Sequence, residues 1–347
     1  MQFESLTPAG FGLQVTGLDL TTPLTDDQWS VIEAEFHRGG GLLLVRGNPG
    51  LSAGQLKAFA RKFGPLEDNE KYYRMGLEHQ LHSAEHREVL CVGNRLRDKS
   101  MMIEVDPAAE LLWHCDDSFR APQPMGSCFY CVEAPADSAT GGAATHFASG
   151  TAAWRALDGE TRARLRRAVA VHDYNALNEL LRRENPTRAP LSDEVRALTP
   201  PVLRPLAAVH PVTGREALFV PACHMASARH ARVDGGAALD VHELLRHATQ
   251  PEFTYAHHWS AGDCIVWDNR CTLHAPSAFN HARNTRLMYR ITMHGEQIAP
   301  SPAELEAREA SATREGGAAE FHGCSQVFKA GTPGDNGDSM NSRDSRL

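Results

Sequence analysis

Two side chains that can bind a metal, His114 and Asp116, stand two positions apart in the stretch LWHCDDSF. If this stretch is extended, alternate side chains point to the same side, so the imidazole and the carboxylate lie next to each other. Two histidines and one carboxylate, with the remaining coordination positions open, are the ligand set of non-haem Fe(II) oxygenases. The H-x-D tripeptide is weak evidence alone, because a surface histidine and a solvated aspartate often stand at this spacing by chance.

The best candidate for a third ligand is His274, although the chain has 18 histidines. It follows a predicted strand from Asp263 to Val266 and a polar turn, and this placement favours it over His281 and His294. Strands that are far apart in sequence can become neighbours when a β-barrel closes. The sequence therefore predicts a site built from His114, Asp116 and His274.

Two arginines, Arg286 and Arg290, share one face of the predicted strand RLMYRITM. Such a face can be a solvated outer surface, but here the opposite face is apolar, so the arginines can line an interior. An arginine inside a cavity needs an anion, and its planar fork suits a carboxylate. A dicarboxylic co-substrate bound to the metal at one end would supply that anion. The hydroxyl of Thr145 is a candidate donor to the same carboxylate, although an ordinary strand threonine is an equally good interpretation.

The elements that must position these residues are mostly short strands. Capping boxes at Thr25–Gln28 and Ser52–Gln55 predict two N-terminal helices within 25–64. Residues 149–172 are predicted to contain a further helix, with Trp154, Leu165 and Val169 among its apolar positions, and 174–200 is predicted to be a charged, partly helical insert. Strict alternation of strand and helix is absent past residue 100, which argues against a doubly wound parallel sheet.

The pattern as a whole predicts a mainly β protein with α additions, a jelly roll or double-stranded β-helix core with flanking helices. We expect one domain over 1–300, with its helical insert at about 150–200. A change in composition beyond Pro300 predicts a C-terminal extension over 301–347 that is partly disordered.

Composition excludes several classes of function. The formal net charge of −8 argues against a broad basic surface for nucleic acid. The sequence has no apolar run of about 18 residues, so we expect no membrane span. The N-terminus lacks the features of a secretory signal. The eight cysteines are scattered, without a second C-x-x-C pair to complete a zinc site. We therefore expect reduced cysteines and a cytoplasmic protein that acts on a small molecule, with homo-oligomers left open.

Over residues 8–296 the sequence resembles the taurine dioxygenase and 2,4-dichlorophenoxyacetate dioxygenase family of Fe(II)- and 2-oxoglutarate-dependent enzymes. The resemblance rests on motifs that occur in the family's order: FGPLE, WHCDDSF, GG followed by T-x-F, HPVTGREALFV, HATQPEF, and WDNRCTLH followed by RLMYR. The branch that degrades aryloxyalkanoates is the most similar.

The resemblance implies roles for individual residues. His114, Asp116 and His274 match the iron ligands. Thr145, aligned through Phe147, and Arg286 match the residues that hold the distal carboxylate of 2-oxoglutarate, and Trp267 matches a residue beside them. Asn94, Arg290 and the loop from Lys71 to Arg74 match positions that contact the prime substrate. Asp268 and Asn269 are candidates for hydrogen bonds that orient the ligand histidines.

The implied reaction consumes O2 and 2-oxoglutarate, releases succinate and CO2, and hydroxylates a small, acidic substrate. Hydroxylation next to a heteroatom would release a fragment and cleave a C–O or C–S bond. Tailoring of a secondary metabolite by the same chemistry is an alternative. Two further alternatives are a metal-binding jelly roll without turnover and a triad oxygenase without 2-oxoglutarate, such as one that cleaves a catechol ring.

Overall fold

The computed structural model describes residues 1–70, 81–94, 112–136, 143–184, 189–220, 230–233, 238–277 and 284–300. All of them belong to one compact unit, Met1–Arg308. Several predictions concern residues outside the described ones: the substrate loop from Lys71 to Arg74, the Gly141-Gly142 pair, and the extension over 301–347.

Short strands are the most numerous elements in the described residues. They are β1 (Gln2–Ser5), β2 (Leu13–Thr16), β3 (Leu42–Val45), β4 (Val89–Gly93), β5 (Gly126–Glu133), β6 (Thr145–Ser149), β7 (Ala168–His172), β8 (Val202–Pro205), β9 (Ala207–Val209), β10 (Glu216–Leu218), β11 (His230–Val233), β12 (Ala238–Asp240), β13 (Thr254–His257), β14 (Cys264–Asp268), β15 (Thr272–Pro276) and β16 (Leu287–Met293).

Helices are fewer and shorter. They are α1 (Asp26–Arg38), α2 (Ala53–Ala60), α3 (Gly150–Ala156), α4 (Gly159–Leu165), α5 (Tyr174–Glu184), α6 (Asp193–Leu198) and α7 (Val241–Ala248), with 3-10 turns at Ala84–His86 and Pro251–Phe253. The fold is therefore mainly β with several helices, as predicted. None of the helices in the described residues is long and apolar enough to span a membrane.

The two predicted capping boxes are confirmed. Thr25 Oγ1 accepts a hydrogen bond from the Gln28 amide at 3.2 Å, and the Gln28 side chain accepts one from the Thr25 amide at 2.9 Å. Ser52 and Gln55 form the same pair of bonds. These reciprocal bonds satisfy backbone donors that the first helical turn leaves without partners, so α1 and α2 begin at the residue after each cap.

The strands form one large sheet and three smaller ones. The seven-stranded sheet has the order β1-β2-β3-β14-β5-β16-β4, and only β2 and β3 pair in parallel. A three-stranded antiparallel sheet has the order β13-β6-β15. The other two sheets are β12-β11-β7-β8 and the hairpin of β9 and β10.

The seven-stranded sheet is apolar on both faces. One face packs against α1 and α2 through residues such as Ile32, Phe36 and Ile291. The other face packs against the three-stranded sheet in a cluster that includes Phe129 and Phe147. On β16 successive side chains alternate between these clusters, which leaves the face that carries Arg290 directed between the two sheets.

Residues 149–172 contain helix, as predicted, but the helix does not reach Val169. They form α3 and α4 followed by strand β7, which includes Val169. In β7 the residues Val169 and Val171 alternate with alanine, and the strand pairs with β8 and β11. β-Branched residues at a period of two favour a strand over the final turns of a helix. The insert at about 150–200 therefore contains a strand as well as helices.

Candidate metal centre

His114 and His274 are brought together by the backbone. His114 donates its amide to the His274 carbonyl at 2.9 Å, and His274 donates its amide to the His114 carbonyl at 2.8 Å. This is an isolated antiparallel bridge to β15, so the segment around His114 is not the strand that the sequence suggested. The chain turns directly after the bridge, with Asp117 at a φ of 49°. The turn brings the Asp116 carboxylate back toward both imidazoles.

The donor atoms of the three side chains form a compact set. His114 Nε2 lies 3.7 Å from Asp116 Oδ1, and His274 Nε2 lies 3.6 Å from Asp116 Oδ2. Neighbouring ligands of an octahedral metal lie about 3 Å apart when each is about 2.1 Å from the ion. Small side-chain movements would close that difference. The two nitrogens and one carboxylate therefore fit a divalent transition metal such as Fe(II).

Both imidazoles can present Nε2 to a metal. The Nδ1 of His114 donates to the Leu112 carbonyl at 2.8 Å, which leaves the lone pair on Nε2. His274 is buried, and its ring packs 4.8 Å from the ring of Trp267. Burial and the neighbouring His114 lower the pKa of His274 to about 3. His274 is therefore neutral near pH 7, as a metal ligand must be.

Asp116 keeps its negative charge although it is buried. Burial raises its pKa, but Arg290 and the two imidazoles lower it further, so that the pKa falls to about 2. Arg290 Nη2 lies 2.9 Å from Asp116 Oδ2, and Ser127 donates to the same oxygen at 3.3 Å. Ser127 also accepts a hydrogen bond from Arg290 Nε at 3.3 Å. The carboxylate, the serine and the arginine form one connected polar group between the two sheets.

The turn that carries Asp116 is held by residues of the insert and of strand β8. His172, on β7, shares a 2.8 Å hydrogen bond between its Nδ1 and Ser118 Oγ. Arg204, on β8, donates to the carbonyls of Ser118 and Arg120. The ring of Phe119 stacks on Tyr174 at 4.7 Å. The bonds from His172 and Arg204 attach the turn that carries Asp116 to a different sheet from those that carry His274 and Arg290.

His172 should make folding stability depend on pH. Burial and the nearby Arg204 lower its pKa from 6.5 to about 3, so the unfolded chain binds a proton between these values that the folded chain does not. Stability should therefore fall as the pH falls below about 6.5. For a single such histidine the loss between pH 7.5 and pH 5 is about 2 kcal/mol.

Replacing His172 removes this contribution. We expect urea unfolding of the metal-free His172→Gln protein to lose ~2 kcal/mol less between pH 7.5 and pH 5 than the wild type loses. Its absolute stability should be lower at pH 7.5, because Ser118 loses a buried partner. Equal pH slopes for the two proteins would show that His172 takes up a proton in the folded state.

Thr145 and Arg286, the predicted residues for the distal carboxylate, lie against one aromatic group. Trp259 Nε1 donates to Thr145 Oγ1 at 2.9 Å, and the rings of Trp259 and Phe129 are nearly perpendicular, with centroids 5.4 Å apart. The guanidinium carbon of Arg286 lies 5.8 Å from the Phe129 ring centroid. Thr145 accepts the bond from the indole, so its own hydroxyl proton is available to a ligand.

Arg286 is an unusual buried cation. Only 8% of its surface is exposed, and burial lowers its pKa to about 10, so it stays charged near neutral pH. Burying a guanidinium costs free energy, and the carboxylate of a ligand would offset part of that cost. Such a perturbed, charged residue is typical of a binding site.

The side-chain amide of Asn94, a predicted substrate contact, forms hydrogen bonds with backbone groups at and near Arg286. Asn94 Oδ1 accepts from the Arg286 amide at 2.8 Å, and Asn94 Nδ2 donates to the Asn284 carbonyl at 2.6 Å. Trp267, predicted beside the 2-oxoglutarate site, packs against the His274 ring and donates to Asn269 Oδ1 at 3.0 Å. The structure thus places the eight predicted site residues in two connected groups, around Asp116 and around Phe129.

A second cluster of possible ligands, His37, His210 and Asp268, is structural. The Nδ1 of His210 accepts from the backbone amides of Val212 and Thr213, so its Nε2 carries the proton and donates to Asp268 at 2.9 Å. Arg270 donates to both oxygens of Asp268 at 2.8 and 2.6 Å. Asp268, predicted as a partner of the ligand histidines, is instead committed to this network.

Sequence reasoning missed three features of the site. Ser127 contacts both Asp116 and Arg290, and its only signal is a small polar residue in the apolar strand GSCFYC. Trp259 orients Thr145, and nothing in its local pattern indicates that partner. The carbonyl of Leu112 orients His114, which no side-chain pattern can reveal.

Comparison with known proteins gives a consistent result. Residues 2–292 match the sequence profile of the family described as "Taurine catabolism dioxygenase TauD, TfdA family". The chain is 30% identical to pentalenolactone F synthase from Streptomyces arenae, in an alignment that covers 85% of this chain and 95% of the synthase. It is 31% identical to the alpha-ketoglutarate-dependent 2,4-dichlorophenoxyacetate dioxygenase from Cupriavidus pinatubonensis, covering 82% of this chain and 94% of that enzyme.

A solved structure is similar in fold. The structure of AAD-2 in complex with Mn(II) and N-oxalylglycine superposes with a TM-score of 0.65 and 27% sequence identity. The alignment covers 86% of this chain and 99% of AAD-2. The similarity in fold therefore extends over most of this chain and nearly the whole of AAD-2.

Proposed function

The chain belongs to the taurine catabolism dioxygenase TauD, TfdA family and is an oxidoreductase that uses Fe(II), 2-oxoglutarate and O2, and from this premise we propose that its prime substrate is a small organic anion bound by Arg290. His114, Asp116 and His274 hold the iron in this proposal. Their support is the donor geometry around Asp116, the neutral state of His274 and the fixed tautomer of His114.

Iron and 2-oxoglutarate, when bound, would supply the oxidising chemistry together with O2: one oxygen atom enters the succinate that forms with CO2 from 2-oxoglutarate, and the other hydroxylates a substrate C–H bond. The residues of the chain bind, orient and exclude water. Thr145 and Arg286 hold the distal carboxylate of 2-oxoglutarate, and the aromatic group around Phe129 keeps that end of the site dry. Trp267 supports the ring of His274.

The contact between Arg290 and Asp116 carries the substrate proposal. The guanidinium lies 2.9 Å from a carboxylate oxygen of a proposed iron ligand, and 23% of the side chain is exposed. It therefore lies beside the proposed centre and is more exposed than Arg286, of which 8% is exposed. A substrate anion held by its outer nitrogens would be close to the metal, where a neighbouring C–H bond can be oxidised.

Replacing Arg290 should remove the preference for acids. We expect a screen of small carboxylic and sulfonic acids, read by succinate release, to find substrates whose KM rises at least about tenfold in Arg290→Leu. The wild type should prefer each acid to its methyl ester, whereas Arg290→Leu should turn over both with similar KM. Affinity for Mn(II) should change much less, because the three ligands are intact.

The surface arginine Arg166, paired with Glu216, gives the matched control, and Arg166→Leu should leave the acid preference unchanged. If Arg290→Leu keeps the preference for acids over esters and instead binds Mn(II) more weakly, Arg290 supports the Asp116 carboxylate and does not bind the substrate. If the wild type turns over esters as well as acids, a neutral metabolite becomes the better substrate class, as in a tailoring oxygenase.

Family membership argues against the two readings without 2-oxoglutarate, a binding jelly roll and a catechol-cleaving oxygenase. We infer that the seven-stranded and three-stranded sheets form the double-stranded β-helix that encloses the site. Support comes from their packing around the Phe129 cluster, and from the site residues that each sheet carries: Thr145 and His274 on the three-stranded sheet, and Trp267 and Arg290 on the seven-stranded sheet. We also infer a reducing, cytoplasmic setting, because Cys128 and Cys264 lie 3.4 Å apart as free thiols.

A further inference from the structure

The end of strand β4 lies close against the backbone of Arg286. Gly93 is the last residue of β4, with a φ of 153°, and a Cβ at this position would lie 1.9 Å from the Arg286 carbonyl oxygen. No side chain larger than hydrogen fits there unless one strand moves. Gly93 therefore allows β4 to lie directly against the residue that carries the buried guanidinium.

Asn94 continues this pairing after the strand has ended. Its side-chain oxygen accepts from the Arg286 amide at 2.8 Å, and its nitrogen donates to the Asn284 carbonyl at 2.6 Å. One amide group thus takes the place of a backbone rung and fixes the chain on both sides of residue 285.

The segment around Arg286 needs such support. Strand β16 begins one residue later, at Leu287, and its register with β5 shifts between Leu287 and Met288. The regular ladder with β5 therefore becomes irregular at the point where Arg286 leaves the sheet. Arg286 has a long side chain, and small changes in its backbone would displace the guanidinium from a ligand.

We infer that Asn94 is a positioning residue for Arg286, and that it sets the affinity for the distal carboxylate of 2-oxoglutarate without touching the prime substrate. This inference rests on the proposed role of Arg286. It assigns Asn94 a function different from the substrate contact that the family resemblance implies. The two roles differ in which ligand loses affinity when the amide is removed.

The test measures binding of 2-oxoglutarate to the Mn(II)-loaded protein by calorimetry, and KM for the prime substrate by succinate release. We expect Asn94→Ala to raise the dissociation constant for 2-oxoglutarate about tenfold, since two backbone groups lose a partner and Arg286 is released. Affinity for 2-oxobutyrate, which has no distal carboxylate, should not change. In Asn94→Asp, which keeps the acceptor for the Arg286 amide, the effect should be smaller.

Asn48 offers a matched control for the loss of a buried amide. It accepts from the Leu20 amide at 2.8 Å and donates to the Leu18 carbonyl at 3.0 Å, so it also joins backbone segments. Asn48→Ala should lower the unfolding temperature and leave the dissociation constant for 2-oxoglutarate unchanged. A similar loss of affinity in both variants would mean that Asn94→Ala acts through general destabilisation, which overturns the inference.

A double variant separates the inference from the function it rests on. In the Arg286→Met background, Asn94→Ala should cause no further loss of 2-oxoglutarate affinity, because the residue that it positions is gone. If Arg286→Met weakens 2-oxoglutarate and Asn94→Ala instead raises only the KM of the prime substrate, the inference alone is wrong. If Arg286→Met leaves 2-oxoglutarate binding unchanged, the role of Arg286 is wrong and the inference fails with it.

Discussion

His114→Ala will abolish the weak visible absorption band that Fe(II) and 2-oxoglutarate give together in the wild-type protein without oxygen. The band requires iron and 2-oxoglutarate to be in direct contact on the protein. Two of the three proposed ligands, Asp116 and His274, would remain, but a buried carboxylate and one imidazole hold a divalent ion far more weakly. The loss of affinity should exceed the roughly 10–100-fold that the loss of a partner behind a ligand costs.

The variant should fold normally. The backbone of His114 makes both bonds to His274, and alanine keeps them. His242→Ala, a histidine in the first turn of α7, is the matched control and should retain the band. Thermal unfolding of the metal-free proteins should differ little between the two variants. A band of wild-type intensity in folded His114→Ala would remove this residue from the metal centre.

Much of the site was predictable because its signals are local. His114 and Asp116 are neighbours in sequence, and the capping boxes of α1 and α2 operate within one turn. The alternation along β16 likewise requires only the two-residue period of a strand, and the structure places Met288 and Ile291 in opposite clusters. Such features need no knowledge of which strands pair.

The remainder depends on contacts between distant segments. The sequence indicates that Asn94 ends a strand, but its partners Asn284 and Arg286 follow only from the pairing of β4 with β16. The partner of Ser127 is likewise set by the turn after His114. The spacing of Trp154, Leu165 and Val169 predicts a helix within 149–172, but Val169 lies in β7, where pairing with β8 decides for a strand. Tertiary pairing overrides local pattern at such positions.

Arg286→Met should weaken the binding of 2-oxoglutarate without lowering the stability of the folded protein. We expect the dissociation constant for 2-oxoglutarate in the Mn(II)-loaded protein to rise at least about 100-fold, because a buried carboxylate loses its charged partner. The dissociation constant of Arg286→Lys should fall between those of the wild type and Arg286→Met, since an ammonium keeps the charge but not the planar fork. Isothermal calorimetry measures all three constants directly.

The same substitution should not destabilise the folded protein. Burial lowers the pKa of Arg286 to about 10, which means that the folded environment disfavours the charged form. Methionine has a similar length, fills the space beside Phe129 and carries no charge to desolvate. Without 2-oxoglutarate the unfolding temperature of Arg286→Met should therefore equal or exceed that of the wild type, whereas added 2-oxoglutarate should stabilise only the wild type.

A comparison of two 2-oxo acids tests the role of Arg286 directly. The wild type should bind 2-oxoglutarate far more tightly than 2-oxobutyrate, because only the former reaches Arg286 and Thr145 with a second carboxylate. Arg286→Met should bind the two ligands with nearly equal affinity, since both still chelate the metal through the 2-oxo acid group. If the variant keeps the preference for 2-oxoglutarate, another cation holds the distal carboxylate. The buried charge of Arg286 would then serve packing against Phe129 and not the co-substrate.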